Sequence, residues 1–338
     1  MVKLSILDQS PISQGQTAKE ALEASVELAQ LGEELGYERF WIAEHHDLYG
    51  LACPNPDVML GVIGSQTKRI RLGAGAVLLP YYKPFRVAET YNLLSTLFPG
   101  RIDLGIGRAP GGSAEVSLAL SDNYLAKVRE YSKLIDELHQ FLSQSFPQGS
   151  TFSKIQPTPV PEVPPRTWLL GTSEKSSALA VDKQMPYAFA DFMTDFNGVE
   201  IVRQYRTEYE KRYEESAEVI VAVHVVCAES SEEAHDLAKS SIAWSLLQEK
   251  VQEEIRIPSV EEVDCYRWTA QDKEKMEKKK NSMIIGNPEE VTEALAHLAK
   301  AYTADELMII TITHDKEDKQ RSYRLIKEAW DLKYEKGV

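Results

Sequence analysis

At 338 residues, with 43% hydrophobic and 27% charged side chains, the chain has an ordinary soluble globular make-up, long enough for one large α/β domain or two smaller ones. Its net charge of −14 argues against unspecific nucleic-acid binding, and Cys53, Cys227 and Cys265 share no spacing that a disulfide framework or zinc site would use. No apolar run approaches the roughly 18 residues of a membrane span, and the N-terminus enters a strand-like segment rather than an export signal, so a cytoplasmic, reducing setting is expected.

Val2–Leu7 is the first predicted strand, followed by the loop Asp8-Gln9-Ser10-Pro11-Ile12-Ser13. Thr17 with Glu20 makes a capping box, and Ala21, Leu22, Val26, Leu28, Ala29, Leu31 and Leu35 recur at helical spacing up to Gly36. Arg39–Ala43 is a second strand, with Glu44, His45 and His46 at its carboxyl end, and Pro56-Asp57 opens a helix to about Thr67. From Ile70 to Gly112 the pattern is strand, helix, strand: an apolar run to Pro80, an amphipathic segment from Pro84 to about Phe98, and a short run from Ile102 to Ile106. That last run ends in Gly107-Arg108-Ala109-Pro110-Gly111-Gly112. A crossover of this length joins parallel strands. Gly73 and Gly75 interrupt the first strand, where glycine marks a bulge or the close approach of a ligand or another backbone.

A polar connection leads to a helix over about Asn123 to Leu142, and the proline-rich Pro157–Pro165 carries the chain to a fifth strand, Thr167–Leu170. Gly171-Thr172-Ser173-Glu174 opens a helix to about Lys183. Tyr187–Ala190 and Glu218–Cys227 are strands six and seven, with a helix over Asn197–Tyr213 between them and a long helix from Ser231 to about Glu254 after them. Ile257–Asn281 is highly charged, fits no simple βα unit, and reads as an insertion or lid. Gly286-Asn287-Pro288 leads a helix to about Tyr302, Glu306–Thr311 is the eighth strand, and Glu317–Lys333 the last helix. Eight strands alternating with helices favour a single closed (β/α)8 TIM barrel over residues 1–338, with its extra length in loops at the C-terminal face. An open doubly wound sheet is the alternative.

In such a barrel the active site lies at the carboxyl ends of the strands. That rule gathers Asp8, Ser10, Glu44, His45, His46, Gly75–Leu79, Arg108, Thr172, Ser173, Asp191 and Phe192. Arg108 in its glycine-rich turn and the helix opening at Thr172-Ser173 suit an anion, a phosphate above all, through N–H groups, helix dipole, hydroxyls and guanidinium. The plainer readings are a surface charge and an ordinary N-cap. His45 and His46, adjacent on an extended segment, point to opposite sides, and no H-x-x-x-H spacing supplies further ligands, so no metal site is expected. One histidine is expected in the cavity as an acid/base or hydrogen-bonding group, the other packed or bound to backbone. Glu44 is left open between pairing with Arg39, Arg71 or Arg108 and a structural role. There is no Ser-His-Asp order and no nucleotide P-loop, and the L-G-A-G-A run lies within a strand, unlike a dinucleotide fingerprint.

Together, LDQSPI, FWIAEHH, RIRLGAGAVLLP, PFRVAETYNLLSTLFPGRIDLGIGRAPG, WLLGTSEKSSALA and IIGNPEEV resemble the luciferase-like flavin monooxygenases, the superfamily of bacterial luciferase, in order along nearly the whole chain. EHH alone is a weak motif; GRIDLGIGRAPG combined with LGAGAVLLP is specific, and the likeness is to bacterial members carrying GRAPG rather than to light-emitting subunits. The resemblance implies a TIM barrel with FMN at its carboxyl face and a non-proline cis peptide at Gly75–Ala76 beneath the isoalloxazine ring. It implies Arg108, Thr172, Ser173 and Ser176 at the FMN phosphate, and His45 as the catalytic residue near the reacting edge. It further implies FMNH2 delivered by a separate NAD(P)H:flavin reductase, O2 as co-substrate, a C4a-peroxyflavin kept from water, a small organic substrate and a homodimer. Three positions depart from the family pattern. Gly107 stands where light-emitting subunits have a reactive cysteine, Lys175 replaces an aromatic residue, and Ala190-Asp191-Phe192-Met193 replaces a histidine-phenylalanine pattern. Two other readings remain: a deazaflavin (coenzyme F420)-dependent dehydrogenase of the same fold, and a non-catalytic flavin-binding protein.

Overall fold

The computed structural model describes residues 2–194, 196–250 and 255–334. Strands and helices alternate from the start. β1 (Lys3–Asp8) leads through α1 (Ala18–Leu35) to β2 (Arg39–Ile42), then α2 (Pro56–Gln66), β3 (Arg71–Leu78), α3 (Pro84–Leu97) and β4 (Ile102–Gly107). Three helices follow: α4 (Ala114–Leu120), α5 (Tyr124–Arg129) and α6 (Tyr131–Ser143). Then come β5 (Arg166–Gly171), α7 (Glu174–Asp182), β6 (Tyr187–Ala190), α8 (Gly198–Tyr213), β7 (Val219–Cys227) and α9 (Ser231–Lys250). The chain ends with α10 (Val260–Cys265), α11 (Ala270–Asn281), β8 (Ile284–Gly286), α12 (Pro288–Tyr302), β9 (Glu306–Ile310) and α13 (Lys316–Tyr334).

Eight of these strands close a parallel barrel. β1 pairs with β2 on one side and β9 on the other, β9 with β7, and β7 with β6, so the ring has no free edge. The open-sheet alternative is thereby excluded. The Thr17–Glu20 capping box starts α1 and Gly36, at φ 78°, ends it. Both were legible because the residue types satisfy the orphan backbone groups of a helix end.

The expected elements differ from the observed ones in three places, and one expectation lies partly outside the described residues. β8 is a ninth strand among the described residues, laid parallel on the end of β7 where β9 has stopped. At three residues, it is too short to show a period. The helix expected over about Asn123 to Leu142 is two helices meeting at Glu130, since α6 buries Tyr131, Ile135, Leu138 and Phe141 whereas α5 buries nothing. Ile257–Asn281 is not irregular. It holds α10 and α11, each with its own capping box (Ser259 with Glu262, Thr269 with Asp272), packed on α9. The last residues of the helix expected from Ser231 to about Glu254 lie outside the described residues.

Strand alternation sends every second side chain into the barrel. At the amino ends these are charged. The fully buried Arg39 donates through Nε and Nη2 to Glu306 (2.6 and 2.8 Å) and through Nη1 to Asp103 (2.7 Å). Its guanidinium lies 5.0 Å from the centre of the Trp168 ring. Above this plug, Leu7, Trp41, Trp168, Ala188, Ile220, Ala222, Met308 and Ile310 form an apolar layer. A larger core lies outside, between the strands and the helices. Gly73 and Gly75 do mark close approach, but of protein: a Cβ at Gly73 would sit 2.5 Å from Trp41 Nε1, and one at Gly75 would sit 2.9 Å from Leu7. The strands therefore deliver apolar walls up to a mouth at their carboxyl ends.

Candidate active site

The same alternation sorts the residues at the mouth. On β2 and beyond it, Arg39, Trp41 and Ala43 are inward, which puts His45 on the inward side and Glu44 and His46 on the other. The Nδ1 of His45 is enclosed and has no partner among the described residues. Burial, with the neighbouring His46 a lesser cause, holds this imidazole down at about 4. His45 is thus a neutral ring with one open hydrogen-bonding position. His46 packs edge-on against Tyr81 and shares a hydrogen bond with Glu44 at 2.8 Å.

Glu44 pairs with none of the three arginines considered for it. Arg39 and Arg71 are held by Asp103 near the opposite end of the barrel. Glu44 instead accepts from Leu78 N (3.0 Å) and the Tyr82 hydroxyl (2.7 Å) as well as facing His46. It therefore clasps the end of β3 just beyond the Gly75–Ala76 peptide, which is cis. The backbone N–H of His46 donates to Gly111 O at 2.8 Å and so ties the same clasp to the turn that carries Arg108.

Arg108 is exposed and no carboxylate among the described residues pairs with it. Its charge lowers the otherwise burial-raised ionisation of Tyr187, Tyr131 and Tyr124, which places the guanidinium among these phenols. The Tyr187 hydroxyl meets Ser176 Oγ at 2.8 Å, inside the first turn of α7. Ser173 is the N-cap of that helix, and it and Ser176 cap one another. The Ser176 hydroxyl is thus buried and already engaged. Thr172 and Ser173 are half-buried at the helix opening, and Lys175 is exposed in the first turn without an acidic partner among the described residues. Arg108, Lys175 and the α7 N-terminus, with Glu174 the acid of the same turn, therefore make a corner of net positive character above β4 and β5. On β4, Gly105 and Gly107 carry no side chain; a Cβ on Gly107 would lie 3.1 Å from Ala76 Cβ. The β3–β4 side of the mouth is a bare wall.

Other residues collected by the strand-end rule lie elsewhere. Asp8 faces outward, because Leu7 is the inward residue of β1; it takes a hydrogen bond from Ser25 (2.5 Å) and pairs with Lys319. Ser10 bonds Ser25 at 2.8 Å in the same outer layer. Asp191 accepts from the Tyr302 hydroxyl. Phe192 does reach the mouth, edge-on to His224 with centroids 4.9 Å apart. His224 was not anticipated. It is the next inward position of β7 after Ile220 and Ala222, and its Nδ1 also lacks a partner among the described residues. A single histidine inside the apolar run VAVHVV was the signal available.

Among the described residues no cluster of histidine, cysteine or acidic side chains could hold a metal, and no helix is long and apolar enough to cross a membrane. The sequence profile of the luciferase-like monooxygenases matches residues 2–305. The N-acetyl-S-alkylcysteine monooxygenase of Bacillus subtilis (strain 168) is 36% identical over 334 residues, covering 97% of this chain and 98% of its own. The crystal structure of apo-MsnO8 superposes with a TM-score of 0.85 at 32% identity, covering 98% of both chains. The oxygenating constituent of 3,6-diketocamphane monooxygenase from Pseudomonas putida, a type II Baeyer–Villiger enzyme in complex with FMN, shares the fold at a TM-score of 0.72 and 17% identity, over 98% of each chain.

Proposed function

The chain belongs to the luciferase-like monooxygenase family, and we propose that it oxygenates a small organic molecule with reduced FMN and O2. The observation that carries this is the division of the barrel mouth into a positive corner at Arg108 and α7 and a bare glycine wall, overlooked by His45 with its enclosed, unpartnered Nδ1. A flat, phosphorylated, redox-active ring fits those three parts. Reduced FMN, when bound, supplies the electrons that let one atom of O2 enter the substrate while the other leaves as water.

The protein's own residues do the rest. Arg108, Thr172 and Ser173 would hold the phosphate, with Lys175 adding charge beside them. Ser176 supports that site from behind, by capping Ser173 and bonding Tyr187. Gly75, Ala76 and Gly107, which carry no large side chain, would form the wall that faces the ring. His45 holds or takes one proton at Nδ1 without bringing a charge into the site. The apolar layer below excludes water, and α11, contributing Lys279 to the wall of the mouth, would act as its lid. A separate NAD(P)H:flavin reductase would deliver the FMNH2, and the working unit would be a homodimer.

An anaerobic titration with FMNH2, followed by mixing with oxygenated buffer, tests the reading. Saturable binding and a transient near-ultraviolet absorbance distinct from both oxidised and reduced FMN are expected, with oxygen uptake coupled to product once the substrate is present. Tight binding of a deazaflavin in place of FMN, with hydride transfer and no oxygen uptake, would overturn it.

A further inference from the structure

Around the barrel, β4 and β5 stand opposite β9 and β1. The positive corner with Arg108 lies over the first pair. Over the opposite arc a separate cavity of about 180 Å³ opens, walled by Gln9 after β1, Phe192 after β6, His224 on β7, Ile312 after β9, Trp244 of α9 and Lys279 of α11. Its serine hydroxyls donate to carbonyls three residues back in the chain and are spoken for. That leaves the Gln9 amide without a partner among the described residues, and His224 Nδ1 enclosed and unpartnered. Among the described residues no carboxylate lines the cavity. Among the described residues Lys279 is its one charged lining group, and it shares its carboxylate there: Glu249 lies 3.0 Å from Lys279 and 3.4 Å from Lys275. Burial keeps His224 neutral, at about 4, against a small opposing pull from the Ile310 carbonyl.

The enclosed, unpartnered His224 Nδ1, with the half-buried Gln9 amide and the Lys279 ammonium facing the same cavity, favours a ligand that brings polar acceptor atoms to them. An apolar ligand would leave them unsatisfied, and a cationic one would meet Lys279. We propose that this cavity seats the acidic end of the substrate, an organic carboxylate whose anion meets Lys279, the Gln9 amide and His224 Nδ1 while its adjoining apolar part lies against Phe192, Trp244 and Ile312. That the bound acid is then oxygenated rests on the flavin reading above; the recognition itself does not. The carboxylate anchored over β7, β9 and β1 and the phosphate corner over β4 and β5 leave the centre of the mouth, beside His45, for the reacting atoms.

Calorimetric titration tests recognition apart from turnover. N-acetyl-S-methylcysteine, N-acetylmethionine, hexanoate and phenylacetate are each compared with their primary amides, on the protein with and without oxidised FMN. At least one acid is expected to bind roughly tenfold or more tighter than its amide, the worth of a charge-assisted hydrogen bond. Lys279→Met, which keeps an unbranched side chain of similar length in the wall and removes its charge, should bring acid and amide to the same affinity. His224→Phe should weaken the acid more than the amide, which a merely structural loss would not do. Equal affinities for acids and amides, an unchanged acid preference in Lys279→Met, or no binding of any of the four acids would overturn the proposal. Loss of FMN binding with acid recognition intact would instead remove the flavin reading and leave this pocket standing.

Discussion

Burial holds both His45 and His224 at about 4, well under the ordinary histidine value of 6.5. The unfolded chain therefore takes up protons between about pH 6.5 and 4 that the native protein refuses, so this part of the stability is intact above pH 6.5 and falls as the pH drops towards 4. Urea midpoints at pH 7 and pH 5 should show that decline, and a His45→Gln, His224→Gln double variant should flatten it. An equal decline in the double variant would trace the effect to other groups. At neutral pH the His45 ring carries no charge, and on the proposed reading His45→Ala should bind FMN normally but turn over poorly; full activity in that variant would remove His45 from the chemistry. Arg108→Ala should weaken FMN by roughly 1.5–3 kcal/mol, the worth of a hydrogen bond to a charged group, while riboflavin, lacking the phosphate, is unaffected. Equal losses for both flavins in a fluorescence titration would take Arg108 away from the phosphate. The place of His45 at the barrel mouth could be read from the sequence because it stands where a strand gives way to polar residues. His224 could not, because Val223 and Val225 around it read simply as buried strand.

Among the elements, the segment after β2 does more than carry a histidine. Glu44 is buried and accepts from the end of β3 and from Tyr82, while His46 holds Gly111, so one short stretch fixes the glycine wall and the Arg108 turn relative to each other. Glu44→Ala would strand several buried donors at about 1–3 kcal/mol each. It should lower the melting temperature and loosen FMN together, and Glu44→Gln, which keeps an acceptor, should recover part of both. A variant with normal stability and weak FMN binding would mean that Glu44 touches the cofactor directly. The role of Glu44 as a clasp was not legible, since its partners lie on β3 and beyond and no local spacing announces them. The same limit explains the misread elements. Long amphipathic or apolar segments declare their period, whereas β8 is three residues and the break at Glu130 serves the burial of α6 alone. In α10 and α11 the capping boxes were visible, but the charge of the segment masked them.

For the whole molecule, the closed barrel follows from regular alternation, because a parallel strand buried on both faces needs a helix between it and the next. Alternation says nothing about what lies outside the helices. There α2 exposes Val58 (63%) and Val62 (41%), and α3 exposes Leu93 (49%) and Leu97 (58%), each pair one helical turn apart on helices that pack side by side. Four large apolar side chains on adjacent helices form a patch of the kind monomers seldom leave open, and a two-fold axis through it would cover it with itself. These helices follow β2 and β3, on the outer face of the barrel, so a partner there leaves the mouth free and braces the strands that carry His45 and the glycine wall. We expect the protein to sediment as a dimer and the Val62→Glu, Leu97→Glu double variant to sediment as a folded monomer with unchanged circular dichroism. A wild-type monomer at micromolar concentration would sink the homodimer, and a dimer that survives both glutamates would move its interface away from α2 and α3.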